Sequence, residues 1–322
     1  MRGMRLAHYS DVHVTHRALG GSASFKSLAA TGAYALAGHR MHFGRSDERL
    51  SKLLEDVDAL GVEHSVCTGD LTGVSSNAEL THAANVFGTR LRHPERYTVL
   101  PGNHDRYARE ATGLFERHFS SLCEGGHFPF VKHLTGGVTL VCIDVSHPTS
   151  LLDSSGWCGP EQREALSSVL TDDSLKGRFV VLALHYALLR ADGSRDAFHH
   201  RLRDDLELLE LIDREDVTLE LVLHGHLHHP FVVHSKRRTI INAGSVTDLR
   251  QGGGGYNVYE IDPAEGRVQL LRRTWNPEAG RYEAALDSPL NRVLTGSGRE
   301  RSPLPAGSSA APLLRSSPPR PG

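Results

Sequence analysis

No stretch of this 322-residue chain stays apolar for the roughly 18 residues that a bilayer-crossing helix needs. Excess charge is missing too. Lys and Arg number 36 against 38 Asp and Glu, a formal net charge of -2. Without a broad basic field, nucleic acid is not expected as the main partner. Cysteine is scarce. Cys67, Cys123, Cys142 and Cys158 form no CxxC pair, which argues against zinc knuckles and thioredoxin-type centres. Cys67 and Cys142 sit in apolar runs and read as reduced core residues. The first residues enter a strand-like run without the apolar h-region of a signal peptide, so a cytoplasmic location is expected. No internal repeat is apparent.

What the chain has in excess is histidine, 21 residues of it. Imidazole is the commonest metal ligand and titrates near neutral pH, so position must decide what these residues do. Hydrophobic residues make up 39% and charged residues 23%, the balance of a globular protein. Short apolar runs read as strands at 5–10, 64–68, 97–100, 138–143, 179–184 and 219–223. Helical periodicity separates them at 47–60, 77–91, 106–119, 160–170 and 202–212. Pro160 suits the first turn of its helix, and Glu161 complements the dipole there. After residue 230 strands follow without helices, at 231–234, 239–242, 256–261 and 268–274. Alternation followed by a strand cluster predicts an α/β core with two sheets and outer helices. Residues 296–322, rich in Pro, Ser, Gly and Arg, predict a disordered tail. That leaves 1–295 as the folded domain, with 17–45 as a cap or loop insertion.

Five polar clusters each follow a predicted strand. They are Asp11-Val12-His13, Gly69-Asp70, Gly102-Asn103-His104-Asp105, His185 and His224-Gly225-His226-Leu227-His228. Ligands of α/β sheets bind beyond the carboxyl ends of strands, so all five can converge. Taken singly, most have bland readings: a turn, a helix N-cap, a core histidine. Their joint occurrence at strand ends is what carries weight. Asp, His and Asn offer oxygen and imidazole donors with no thiolate, which suits Mn, Fe or Zn. The set is too large for one ion and about right for two. Glycines beside Asp70, Asn103 and His226 let the backbone turn closely around such ions.

The order D-x-H, G-D, G-N-H-D, H, G-H-x-H resembles the calcineurin-like metallophosphoesterase superfamily. Asn242-Ala243-Gly244-Ser245 is similar to its closing N-x-G-S segment. The resemblance implies a four-layer α/β/β/α sandwich with two divalent transition-metal ions. It implies that Asp11, His13, Asp70 and His228 hold one ion, and that Asp70, Asn103, His185 and His226 hold the other. Asp70 would bridge them together with the hydroxide that attacks phosphorus. His104 would act on the leaving oxygen as general acid, oriented by Asp105. Of the remaining histidines, His224 is expected behind the ligands, His229 and His199-His200 at the surface, and His39 and His42 in the cap.

Departures from subfamily patterns narrow the substrate. Asp70 is followed by Leu71-Thr72-Gly73-Val74 and His104 by Asp105, unlike protein Ser/Thr phosphatases. His104 stands where UDP-diacylglucosamine hydrolases typically carry Arg. The pattern looks most like the class III cyclic-nucleotide phosphodiesterases. The expected partner is therefore a small-molecule phosphodiester, a nucleotide such as cyclic AMP. A homodimer is left open. The rival readings are a lipid-headgroup hydrolase at the membrane surface, using 25–43 as an apolar lip, and a non-catalytic scaffold.

Overall fold

The computed structural model describes residues 3–15, 45–107, 109–150, 153–250 and 254–295. The expected tail and nearly all of the 17–45 segment, His39 and His42 included, lie outside them.

Among the described residues, thirteen strands form two mixed sheets. The first is built from β1 (Met4–Tyr9), β2 (His64–Cys67), β3 (Tyr97–Val99), β10 (Gly255–Asp262), β11 (Arg267–Asn276), β12 (Arg281–Ala284) and β13 (Arg292–Thr295). Its order is β12-β11-β10-β1-β2-β3, with β13 beside β12 on the edge of β11. The second contains β4 (Phe130–His133), β5 (Val138–Cys142), β6 (Phe179–Ala183), β7 (Leu221–His224), β8 (Phe231–His234) and β9 (Thr239–Asn242), ordered β4-β5-β6-β7-β9-β8. Each sheet has a parallel heart: β1-β2-β3 in the first and β5-β6-β7-β9 in the second. Parallel strands all deliver the chain to one edge, and that edge holds the site.

Side-chain alternation explains the layering. In β6, Phe179, Val181 and Ala183 join the core between the sheets, while Val180 and Leu182 join a second core beneath helices. In β7, Leu221 and Leu223 face inward and Val222 outward. Strands buried on both faces read as unbroken apolar runs, which is why they were visible in the sequence. Over the second sheet lie α4 (Pro160–Leu170) and α5 (Asp205–Ile212), through Leu166, Leu170, Leu208 and Ile212. Over the first lie α1 (Ser46–Ala59), α2 (Asn77–Phe87) and α3 (Leu114–Phe119), through Leu50, Leu54, Leu80, Phe87, Phe115 and Phe119. The result is the expected α/β/β/α sandwich.

Three helices differ from the periodicity. The 106–119 helix forms only over Leu114–Phe119. Residues 103–106 turn at the site instead, and Gly113, at φ 78°, begins the helix in a left-handed conformation. Helix α2 stops at Phe87, and a 3-10 segment covers Gly88–Arg92. Helix α5 begins at Asp205 because Asp204 accepts from the N–H groups of Cys158 and Gly159, at 2.9 Å each. All four cysteines are free and buried. Among the described residues no helix is long and apolar enough to cross a membrane.

Candidate metal centre

The backbone brings the clusters together before any side chain is considered. Beyond the ends of β1 and β2 the two chains stay paired. Asp11 N–H donates to the Gly69 carbonyl (3.0 Å), His13 N–H to Asp70 (3.0 Å) and Val14 N–H to Leu71 (2.7 Å). The second sheet is tied in where His226 N–H donates to Asp11 Oδ2 at 3.0 Å and Ser245 Oγ to the Asp11 carbonyl at 2.7 Å. Close approach is bought with missing side chains: a Cβ on Gly102 would collide with Asp70, and one on Gly225 with Ser10 and Asp11.

The expected donors meet. His13 Nε2 lies 3.1 Å from His228 Nε2. His228 Nε2 is 3.4 Å from Asp11 Oδ1, and His13 Nε2 is 3.9 Å from Asp70 Oδ2. On the other side, His185 Nε2 is 3.0 Å from Asn103 Oδ1 and 3.4 Å from Asp70 Oδ2. His226 Nδ1 is 3.1 Å from the same Asn103 oxygen. Asp70 is the hinge of the arrangement. Its Oδ1 accepts from His104 N–H at 2.8 Å, so a single oxygen, Oδ2, faces a histidine from each sheet. The donors of Asp11, His13 and His228, and those of Asp11, Asp70 and His185, lie within 4.8 Å of one another.

Five of these residues carry strained backbone: Asp11 (φ 54°), His13 (51°), Asp70 (55°), His226 (73°) and His228 (60°). Left-handed conformations in non-glycine residues cost roughly 1–3 kcal/mol each and gather at functional sites. Only three other non-glycine residues among those described share them: Arg45, Ser75 and Glu124.

Electrostatics favours cations here. Asp11 and Asp70 are 0% and 1% exposed. Their partners are imidazoles and backbone N–H groups, with no Lys or Arg among the described residues. Buried carboxylates require compensating positive charge. Burial opposes ionisation of both, but His228 outweighs it at Asp11 and His185 at Asp70, so both stay below the usual carboxylate range. Burial likewise opposes protonation of His185 and His228, yet Asp70 lifts the first and Asp11 with Asp248 the second. Burial keeps His13 low, near about 3, with His104 adding to it. Burial also lowers His226, aided by His200 and His185. Ionised carboxylates beside imidazole and amide donors, with no thiolate, fit a pair of divalent transition-metal ions, which would take the place of the protons that the carboxylates otherwise hold on His185 and His228.

His104 sits at the rim, half-buried, its ring edge-on to His13 at 4.9 Å between centroids. The orienting contact expected from Asp105 is made by another group: the Gly73 carbonyl lies 2.6 Å from His104 Nδ1. Asp105 instead accepts from the N–H groups of Gly102, Leu71 and Thr72 at 2.9–3.0 Å, so it shapes the backbone under His104. Burial and neighbouring Asp70 push its carboxyl up to about 6. His224 is buried beside the Gly225 carbonyl and Asn242, behind the ligands. His200, expected as an ordinary surface residue, keeps 43% of its side chain exposed but also stacks on His226 with centroids 4.0 Å apart. The Asp196-x-x-x-His200 spacing hinted at the pairing of those two residues, not at the contact with His226. Asp248 was also missed; its Oδ2 lies 3.5 Å from His228 Nδ1, three residues beyond the N-x-G-S segment.

An oxygen-and-imidazole centre of this kind, at the shared edge of two facing sheets, defines a metal-dependent phosphoesterase. The family model described as calcineurin-like phosphoesterase matches residues 4–230, and the chain belongs to that family, which uses a dimetal centre. Among solved structures, a dimetal phosphatase from Danio rerio superposes with a TM-score of 0.60 at 13% identity, over 88% of this chain and 99% of that one. A purple acid phosphatase from yellow lupin (Lupinus luteus) gives 0.51 at 12%, over 91% of this chain and 53% of that one. GAP50, the anchor in the inner membrane complex of Plasmodium, gives 0.51 at 11%, over 94% and 90%. These likenesses are of fold. No curated protein sequence matches the chain.

Proposed function

We propose that the chain hydrolyses phosphodiesters, with 3',5'-cyclic nucleotides such as cyclic AMP as the substrate class. In this reading Asp11, His13, Asp70 and His228 hold one ion, and Asp70, Asn103, His185 and His226 the other. The observation that supports it best is the Oδ2 oxygen of Asp70, which faces His13 on one side and His185 on the other. When bound, the ions supply Lewis acidity toward the phosphoryl oxygens and an acidified water.

The chain's own groups do the rest. Asp11 and Asp70 provide the negative charge that retains cations in a buried place. Thr68 fixes His185, because its carbonyl accepts a hydrogen bond from Nδ1–H at 2.7 Å and leaves Nε2 as the atom that would face an ion. Gly73 likewise accepts from His104 Nδ1–H at 2.6 Å, so Nε2 faces outward, and it is the doubly protonated ring that hands the Nε2 proton to the leaving oxygen and is left neutral. A sugar alkoxide is a poor leaving group without that proton, and a positioned acid contributes typically about 10²–10⁴-fold.

The test is a substrate panel with metal analysis of the purified protein: cyclic AMP, nucleoside phosphomonoesters, bis-p-nitrophenyl phosphate and UDP-diacylglucosamine. Turnover of cyclic AMP with two ions per chain is expected. Selective turnover of UDP-diacylglucosamine would move the substrate to lipid headgroups. Failure on every phosphoester by metal-replete protein would favour a scaffold.

A further inference from the structure

The loop between β6 and α5 supplies only His185 to the ligand set, yet its far end reaches the site. It turns at residues 196–201, where the N–H groups of His200 and Arg201 both donate to the Ala197 carbonyl at 2.9 Å. Side chains clasp this turn. Asp196, 9% exposed, pairs through Oδ2 with His200 Nδ1 at 2.5 Å and through Oδ1 with Arg190 Nη1 at 2.9 Å. The clasp presents two features of residue 200 to His226. The imidazole lies over that of His226, the planes 27° apart. The carbonyl accepts from His226 Nε2–H at 2.8 Å.

His226 depends on such help more than its counterpart does. Its Nδ1 faces Asn103, so the ring proton must sit on Nε2 for Nδ1 to offer a lone pair. A carbonyl opposite Nε2 enforces that tautomer. His185 has the mirror arrangement, but its carbonyl belongs to Thr68, fully buried just past the end of β2. That acceptor needs no side chain to hold it still. The His200 carbonyl hangs in a loop whose ring is 43% exposed on its side chain, and its place is set by Asp196.

We propose that Asp196 and His200 are positioning residues for His226, fixing its tautomer and ring plane so that the ion His226 would hold is retained. The proposal rests on the binuclear reading above. The donors of Asp196, His200 and His226 also lie within 4.8 Å of one another, but a third ion there is disfavoured. His226 Nε2 is committed to a carbonyl, and His200 Nδ1 to Asp196.

The test challenges manganese-loaded, full-length protein with graded chelator and reads released Mn(II) by its electron paramagnetic resonance signal. In His200→Ala and Asp196→Ala one ion should leave about 10–100-fold more readily, the usual cost of losing an outer partner of a ligand. The other ion should be unmoved. Asp196→Asn keeps an oxygen for the His200 Nδ1–H and should recover most of the loss. A mere loop brace would lower the melting temperature without separating the two ions. Unchanged release of both ions, or equal weakening of both, would overturn the proposal. The exposed ring makes His200→Ala a safe variant should Asp196→Ala fold poorly. A wild type that holds one ion would instead break the binuclear reading, and the clasp falls with it if His200→Ala leaves that ion untouched.

Discussion

The first sheet ends in oxygen and the second in imidazole. Loops after β1, β2 and β3 carry Asp11, Asp70 and Asn103, with His13 the one imidazole donor among them. Loops after β6 and β7 carry His185, His226 and His228. The carboxylates come from one side of the sandwich and most of the imidazoles from the other. The first half alone would lack three of the imidazoles, and the second alone both carboxylates. The two halves also differ in how they are held. Backbone pairing of the β1 and β2 loops fixes the oxygen side, whereas carbonyl acceptors at Thr68 and His200 fix the imidazoles. The centre is therefore a product of sheet packing, which is why its motifs are spread from residue 11 to residue 228.

The sharpest way to break this division is to remove the one oxygen both halves face. Asp70→Ala should lose both ions and essentially all turnover, measured by metal analysis and a phosphodiesterase assay. His13→Ala should weaken one ion and regain activity in excess metal. Full activity in Asp70→Ala would sink the bridging role.

A variant that spares the ligands comes next. His104→Ala should cut cyclic AMP turnover about 10²-fold more than bis-p-nitrophenyl phosphate turnover, because nitrophenolate leaves without a proton. Metal content should stay at the wild-type level. Equal losses on both substrates would make His104 a phosphate-binding group, and lost metal would make it a ligand.

The oxygen side can also be disturbed without deleting a donor. Gly102→Ala places a methyl against the Asp70 carboxylate and should cost about 10–100-fold in metal retention, the range for disturbing a ligand's surroundings. Wild-type retention would mean that Asp70 has room to move.

The smallest effect lies under the first sheet. Glu79 caps α2 and accepts from Val74 and Ser76 N–H at 3.0 and 3.2 Å. Burial pushes its carboxyl up to about 7 from the ordinary value of 4.5. Between those values the folded state binds more protons than the unfolded one, so this group's contribution falls as pH rises through the window. Glu79→Gln cannot ionise. Its melting temperature relative to wild type should rise between pH 5 and pH 8. A flat difference would show that Glu79 titrates like an exposed carboxylate.

Much of this was legible in sequence because the relevant strands are buried on both faces. Each donor cluster sits directly after an apolar run, so Asp11, Asp70, Asn103, His185 and His226 could be placed at strand ends from pattern alone. What stayed hidden depends on contacts distant in sequence. Strands β4, β12 and β13 are edge strands with mixed polarity, and in Arg281-Tyr282-Glu283-Ala284 the alternation lasts only four residues, too few to stand out. Helical periodicity at 106–113 lost to the demands of the site loop. His200 looked like an ordinary polar residue because nothing local reports that its carbonyl meets a ring 26 positions onward. The partner of His104 was misassigned to neighbouring Asp105 for the same reason: the acceptor is a backbone carbonyl at Gly73, and main-chain groups leave no mark on residue identity.

The pairing that continues past β1 and β2 has a consequence for how such a protein can change over generations. Its hydrogen bonds, from Asp11, His13 and Val14 to Gly69, Asp70 and Leu71, are made by main chain and do not need a particular side chain, so long as the residue keeps its N–H and tolerates the local backbone. Ligand residues can drift while the frame that displays them persists. A descendant could shed its catalysis one side chain at a time and keep a rigid, well-shaped edge available for some other use.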